Sequence, residues 1–249
     1  KMLSTDTVTL SNGNHVERFT LSNQFISVSL IPELGGKITS IKSQSGREFL
    51  SRSDKAYQMR RYGMKYGETE FDGIDECFPC VATSHYPTAP WKDRPIPDHG
   101  ELCQLPWTVT KQSKDSVHCE IHGKGFPYVF TRVISIHGCN IHIDYSVENR
   151  SANPFHCSYA FHPLLAGEDA CGLELPDDTK INMDISSKKH LGEKGTTASW
   201  SQYLDLEGKL FKDNQFTADS KKYYKYYTEP LKTGHVRFFY SDGHGLTMT

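Results

Sequence analysis

The chain has 249 residues, 37% hydrophobic and 12% aromatic, with 19 Gly and 12 Pro, which is enough apolar material for a buried core in one all-β unit. A formal charge of −2 and a pI near 6.7 give no basic footprint for nucleic acid or an anionic bilayer. No apolar run reaches the roughly 20 residues of a membrane span, and the N-terminal residues carry no apolar signal core, so neither nucleic acid nor membrane is an expected partner.

In chain order, strands are expected near 5–10 and 15–21. QFISVSLIP (24–32) sets Phe25, Ser27 and Ser29 against Ile26, Val28 and Leu30, the period of a half-buried strand. Gly35-Gly36 interrupts the pattern, and KITSIKS (37–43) alternates again up to the Ser45-Gly46 turn. Residues 51–106 differ: they are rich in Tyr, Gly, Pro and charge, with little alternation, and long irregular segments of this kind tend to carry function. Strands return near 107–112 and 117–122. YVFTRVISI (128–136), the turn HGCN (137–140) and IHIDYSVEN (141–149) read as an antiparallel hairpin. Ile141, Ile143, Tyr145 and Val147 share one face; His142, Asp144, Ser146 and Glu148 share the wet one. Further strands are expected near 155–160 and 235–240. YYKYYTEP (223–230) reads as an exposed aromatic strand or loop, suited to stacking on sugar rings or to covering the core. Helical periodicity is weak, and no repeat or linker is visible. The reading is a single all-β domain over 1–249, an antiparallel β-sandwich or barrel.

The seven cysteines are an odd number, and several sit in strand-like runs as small apolar residues, so a reduced, cytoplasmic protein is expected. The sequence opens on Lys1 rather than Met, which fits a processed or trimmed product.

Within the irregular segment, FDGIDECFPCVA (71–82) is followed by PDHGELCQLPW (97–107), which places Asp98, His99 and Glu101 within four positions. Burying that group without partners is costly, so it is either a solvated turn capped by Asp98 or a site. SYAFHPLL (158–165) raises the same choice for His162: a packed histidine, or one aimed from a strand end that Pro163 stiffens. Cys77-Phe78-Pro79-Cys80 lacks the second ligand pair of a zinc site. His118 and His122 share a strand face and, with His137 or His142, form a metal-site alternative; the plain reading is exposed histidines. No phosphate-binding loop and no Gly-x-Ser-x-Gly elbow occur, and no cofactor or metal is expected. Asn149-Arg150-Ser151 fits a glycosylation sequon but has no supporting signal.

Taken together, LIPELGGKITSIKSQSGREFL (30–50), GIDECFP (73–79), PDHGELCQLPW (97–107) and VENRSANPFHCSYAFHPLL (147–165) resemble the galactose mutarotase (aldose 1-epimerase) superfamily in motif, order and spacing over roughly 20–165. The resemblance implies a β-sandwich of the supersandwich type with a small-molecule sugar in an open groove, and interconversion of anomers by acid–base ring opening. It implies His162 as the acid at the ring oxygen and His99 as a second catalytic histidine that polarises the sugar. Asp98, Glu101, Asp75 and Glu76 are then sugar-binding candidates, together with an arginine, Arg61 or its neighbour Arg60. A basic cluster of Lys92, Arg94, Arg60 and Arg61 leaves a phosphorylated sugar open. The family's general base is a late glutamate. None matches here, because Glu229-Pro230 precedes the strand that should come before it. The expectation is a chain continuing beyond Thr249 with its final strands, or a sugar-binding protein without turnover. The metal-dependent sandwich remains a third alternative.

Overall fold

Apolar residues at alternate positions drive the chain into short antiparallel strands. The computed structural model describes residues 2–211 and 221–249, and the chain divides into two units, Lys1–Ala166 and Gly167–Thr249. The first unit contains β1 (Met2–Thr9), β2 (His15–Ser22), β3 (Ile26–Ile31), β4 (Lys37–Ser43), β5 (Ile74–Cys77) and β6 (Ser84–His85). It continues with β7 (Pro95–Ile96), β8 (Thr108–Gln112), β9 (Ser116–His122), β10 (Tyr128–His137), β11 (Asn140–Asn149) and β12 (Ala160–Pro163). A six-stranded sheet runs β1-β2-β3-β4-β5-β12, a four-stranded sheet runs β11-β10-β9-β8, and β6 pairs with β7. All of these ladders are antiparallel.

The strand expectations are met over most of this unit. In β3, Val28 and Leu30 are fully buried while neighbouring Phe25 is exposed, as the alternation requires. The hairpin β10–β11 holds one register from Tyr128↔Asn149 to His137↔Asn140, closed by Gly138-Cys139. Strand β11 edges its sheet, and its apolar face is only partly covered: Ile141 and Ile143 are half-buried, Tyr145 and Val147 exposed. The strand expected near 155–160 lies further on, at β12. The reason is local: the His156 and Ser158 amides donate individually to Tyr86 Oη (2.6 Å) and Pro79 O (2.8 Å) instead of joining a ladder.

Aromatic packing holds the irregular segment down. Phe155 stacks on Tyr86 (centroids 5.6 Å apart, 12° between planes) and meets Trp91, Phe126, Tyr128 and Phe78 within about 6 Å. A buried ion pair ties the two large sheets together. Arg132 of β10 lies 3.2 Å from Glu76 of β5, donates to Gly36 O (2.6 Å), and sits 4.6 Å over the Trp107 ring. Gly36 has to be glycine there: φ is +67° and a Cβ would fall 2.9 Å from the Trp107 ring.

The second unit contains β13 (Gly172–Glu174), β14 (Lys180–Ser186), β15 (Thr197–Ser199), β16 (Tyr224–Thr228), β17 (Val236–Phe239) and β18 (Gly245–Met248). They form the sheets β13-β17-β18 and β15-β14-β16 around Ile181, Met183, Leu191, Trp200 and Tyr203. The YYKYYTEP stretch supplies β16, with Tyr224 and Tyr226 packed on that core and Tyr223 and Tyr227 exposed. Among the described residues, no helix is long and apolar enough to cross a membrane.

Candidate active site

The two histidines singled out in the sequence, 63 positions apart in numbering, come together. His162 lies on β12 directly opposite Asp75 of β5, and Pro163 follows at the sheet edge, where a missing N–H costs nothing. The chain then returns along the sheet through Leu164 N–H to Gly73 O (2.9 Å) and Ser51 N–H to Leu164 O (2.7 Å). This is a rigid mount for an imidazole.

His99 arrives from the Pro97–Gly100 turn, closed by Gly100 N–H to Pro97 O (2.9 Å). Both His99 (φ +60°) and Gly100 (φ +76°) are left-handed, a conformation that is uncommon for a side-chain-bearing residue and that concentrates at functional sites. A Cβ on Gly100 would sit 2.2 Å from Phe78 O, so the turn presses directly onto the strand of the Cys77-Phe78-Pro79-Cys80 stretch. The turn aims His99 at His162, with ring centroids 5.3 Å apart and planes at 70°.

Each histidine has an acidic system behind its Nδ1. For His99 the partner is Asp98 Oδ1 at 2.9 Å. For His162 it is Tyr66 Oη at 3.4 Å, whose hydroxyl lies 3.1 Å from Asp75 Oδ2. Tyr66 also stacks on His99 (4.0 Å, 18°), meets His162 edge-on (5.4 Å), and donates its backbone N–H to Asp98 Oδ2 (3.1 Å). Burial, helped by the Asp75 carboxylate, pushes the Tyr66 phenol well above its ordinary value, so it acts as a neutral donor. Beneath it, fully buried Lys37 donates to Asp75 Oδ2 (2.8 Å) and to Asp72 O (2.6 Å), with Asp72 Oδ1 at 3.4 Å. Burial raises the Asp72 carboxyl despite Lys37.

His162, His99, Asp98 and Asp75 therefore share one cluster. Glu76 and Glu101 do not touch it. Glu76 faces Arg132 and accepts from Tyr145 Oη (2.5 Å); Glu101, fully buried, accepts from Tyr62 Oη (2.8 Å) and Gly125 N–H (2.6 Å). Arg61 is 77% exposed beside Glu68 (3.8 Å), while Arg60 is buried against Glu70 (2.5 Å). Tyr66 and Lys37 were not singled out from the sequence. Lys37 had a signal, a lysine directly after Gly35-Gly36 at the head of an inward-facing strand. Tyr66 had none within its irregular surroundings.

Among the described residues, no group of three or more His, Cys, Asp or Glu is placed to hold a metal. His122 instead contacts Glu120 (2.8 Å), and His137 packs edge-on to His142 (5.4 Å). A depression of about 520 Å³ lies over β8 and β9, lined by Leu105, Thr108, Glu120 and His122 among others; no residue of the histidine cluster borders it.

The antiparallel sheets described above are those of a galactose mutarotase-like fold. The aldose 1-epimerase family model matches residues 17–233, and the chain belongs to that family. Among solved structures it is similar to a protein of Synechocystis sp. PCC 6803, with 18% identity, TM-score 0.63, and coverage of 90% of this chain and 73% of the other. It is also similar to a galactose mutarotase related enzyme from Lactobacillus acidophilus (16%, TM-score 0.60, 90% and 74%). A galactose mutarotase-like protein from Lactobacillus casei shares the fold as well (14%, TM-score 0.57, 92% and 78%). No curated protein matches the chain.

Proposed function

We propose that this chain interconverts the α and β anomers of an aldose or aldose derivative. The reaction removes the proton of the anomeric hydroxyl and protonates the ring oxygen. The bond from the anomeric carbon to the ring oxygen breaks, the aldehyde end rotates, and reclosure from the other face inverts the centre. In this reading His162 gives the ring oxygen its proton and His99 holds and polarises a sugar oxygen, oriented by Asp98. Asp75 acts from beneath through Tyr66, while Glu76 and Glu101 stay engaged with Arg132 and with Tyr62, apart from the histidines. The proton of the anomeric hydroxyl goes to a base on the opposite side of the ring.

The observation that carries the reading is the meeting of two imidazoles, 5.3 Å between centroids, each with Nδ1 backed by an acidic system. Histidine suits the task because its ordinary pKa lies near neutrality. The test is anomer exchange of a panel of freshly dissolved α-aldoses, followed by NMR or polarimetry. The expected result is exchange above the spontaneous rate, reduced by roughly 10²-fold or more in His162→Ala and His99→Ala. Sugar binding by calorimetry with exchange at the spontaneous rate would instead identify a carbohydrate-binding protein on the same scaffold. Neither binding nor exchange would overturn both.

A further inference from the structure

We propose that Tyr66 is a positioning residue which keeps a proton on Nδ1 of His162, so that the distal Nε2 carries the proton the acid transfers. The proposal rests on the acid role of His162 given above and identifies what sets that histidine's proton arrangement.

The Tyr66 hydroxyl has one proton and two neighbours, Asp75 Oδ2 at 3.1 Å and His162 Nδ1 at 3.4 Å. Asp75 is ion-paired with Lys37 (2.8 Å), and an ionised carboxylate only accepts, so the phenol proton goes to Asp75. The Tyr66 oxygen then offers His162 a lone pair, and His162 Nδ1 must supply the hydrogen. A directional chain results, from His162 Nδ1–H to Tyr66 Oη–H to Asp75, anchored by the buried Lys37 ammonium. Burial and Asp75 keep the Tyr66 phenol protonated, as this chain requires. Asp75 and Lys37 are 1% and 0% exposed, so the anchor is shielded from competing water.

The consequence for chemistry is specific. When His162 acts as an acid, its Nε2–H bond breaks and an O–H bond forms on the ring oxygen. The imidazolium becomes the neutral Nδ1–H tautomer, the form the chain already favours. Meanwhile the Tyr66 ring, stacked on His99 at 4.0 Å, and its amide, bonded to Asp98, fix the second histidine from the same residue. One tyrosine thereby sets both imidazoles.

The test is a long-range ¹H–¹⁵N correlation spectrum of the ¹⁵N-labelled full chain, with His162 assigned by the loss of its signals in His162→Gln. Wild-type protein above the histidine titration is expected to show His162 with a protonated Nδ1 and an unprotonated Nε2. Tyr66→Phe retains the ring stacked on His99 and removes only the hydroxyl. It is expected to shift His162 toward the Nε2–H tautomer, to leave His99 unchanged, and to lower kcat roughly ten- to a hundredfold with little change in KM. An Nε2–H tautomer in the wild type overturns the proposal, and that measurement needs no variant. So does a Tyr66→Phe spectrum in which the His162 tautomer is unaltered. If the wild-type tautomer is Nδ1–H but no sugar is turned over, the epimerase reading fails while the role of Tyr66 in holding the proton stands.

Discussion

Gly100→Ala tests how the turn carrying His99 is built. The residue sits at φ +76°, and an added Cβ would lie 2.2 Å from Phe78 O and 2.4 Å from its carbonyl carbon, both immobile backbone atoms. Placing alanine in the left-handed region costs roughly 1–2 kcal/mol. Moving the backbone apart to admit the methyl also breaks the bond from Glu101 N–H to Phe78 O (2.6 Å), worth about 1 kcal/mol. The expected loss is about 2–3 kcal/mol, or roughly 5–10 °C in Tm for a chain of this size. Gly46→Ala is the control: φ is +95°, yet nothing lies within 4 Å of the added methyl, so only the conformational part applies. Urea denaturation followed by tryptophan fluorescence gives both values. Because the same shift moves His99, Gly100→Ala should also slow anomer exchange far more than Gly46→Ala does. If the two variants lose equal stability, within about 0.5 kcal/mol, the close approach of the turn to Phe78 is wrong and the argument for a rigidly aimed His99 goes with it.

Glu76→Gln should cost roughly 3–5 kcal/mol, since it strands the fully buried Arg132 guanidinium without its carboxylate. The double variant Glu76→Gln/Arg132→Met should recover much of that loss, and strictly additive single-variant costs would show that the pair is not coupled. In the native protein near pH 8, iodoacetamide should label the exposed Cys139 and Cys157, while Cys77, Cys80, Cys103, Cys119 and Cys171 react only after denaturation; mass spectrometry counts the adducts. Burial pushes the Cys77 thiol from an ordinary 9.0 up to about 12, above its unfolded value. Its contribution to stability is therefore whole below about pH 9 and is lost as pH rises toward 12. Cys77→Ala should accordingly fall less steeply in stability over that window, and identical alkaline limbs for the two proteins would rule this out.

Legibility of the fold followed burial pattern. Strands with one wet face, such as β2 and β9, announce themselves by alternation. Strand β5 does not: all four residues of Ile74–Cys77 are buried, two of them acidic, so no period survives and the stretch reads as loop. The same applies to the site. His162 and His99 stood out because Pro163, and Gly100 beside Asp98, mark places where the backbone is constrained. Tyr66 acts through its position over both rings, contacts 33 or more residues distant in sequence, and no local pattern encodes them. Arg60 and Arg61 were indistinguishable as neighbours. Only packing separates the one buried against Glu70 from the one exposed beside Glu68.

The buried charges explain why that packing holds the histidines so closely. Asp75 and Glu76 are successive residues of β5, so they project from opposite faces of the sheet. One is held by Lys37 at 2.8 Å, the other by Arg132 at 3.2 Å, and Lys37 and the Arg132 acceptor Gly36 are themselves adjacent. Against well-packed apolar residues, buried pairs of this kind contribute little net stability, since desolvation offsets attraction. What they supply is register. Sliding β5 by one residue would turn Asp75 away from Lys37 and Glu76 away from Arg132, leaving four buried charges unmatched, whereas an apolar strand would tolerate the slip far better. His162 takes its place from β5, opposite Asp75, so the register that satisfies the charges is the one that brings His162 beside Tyr66 and His99.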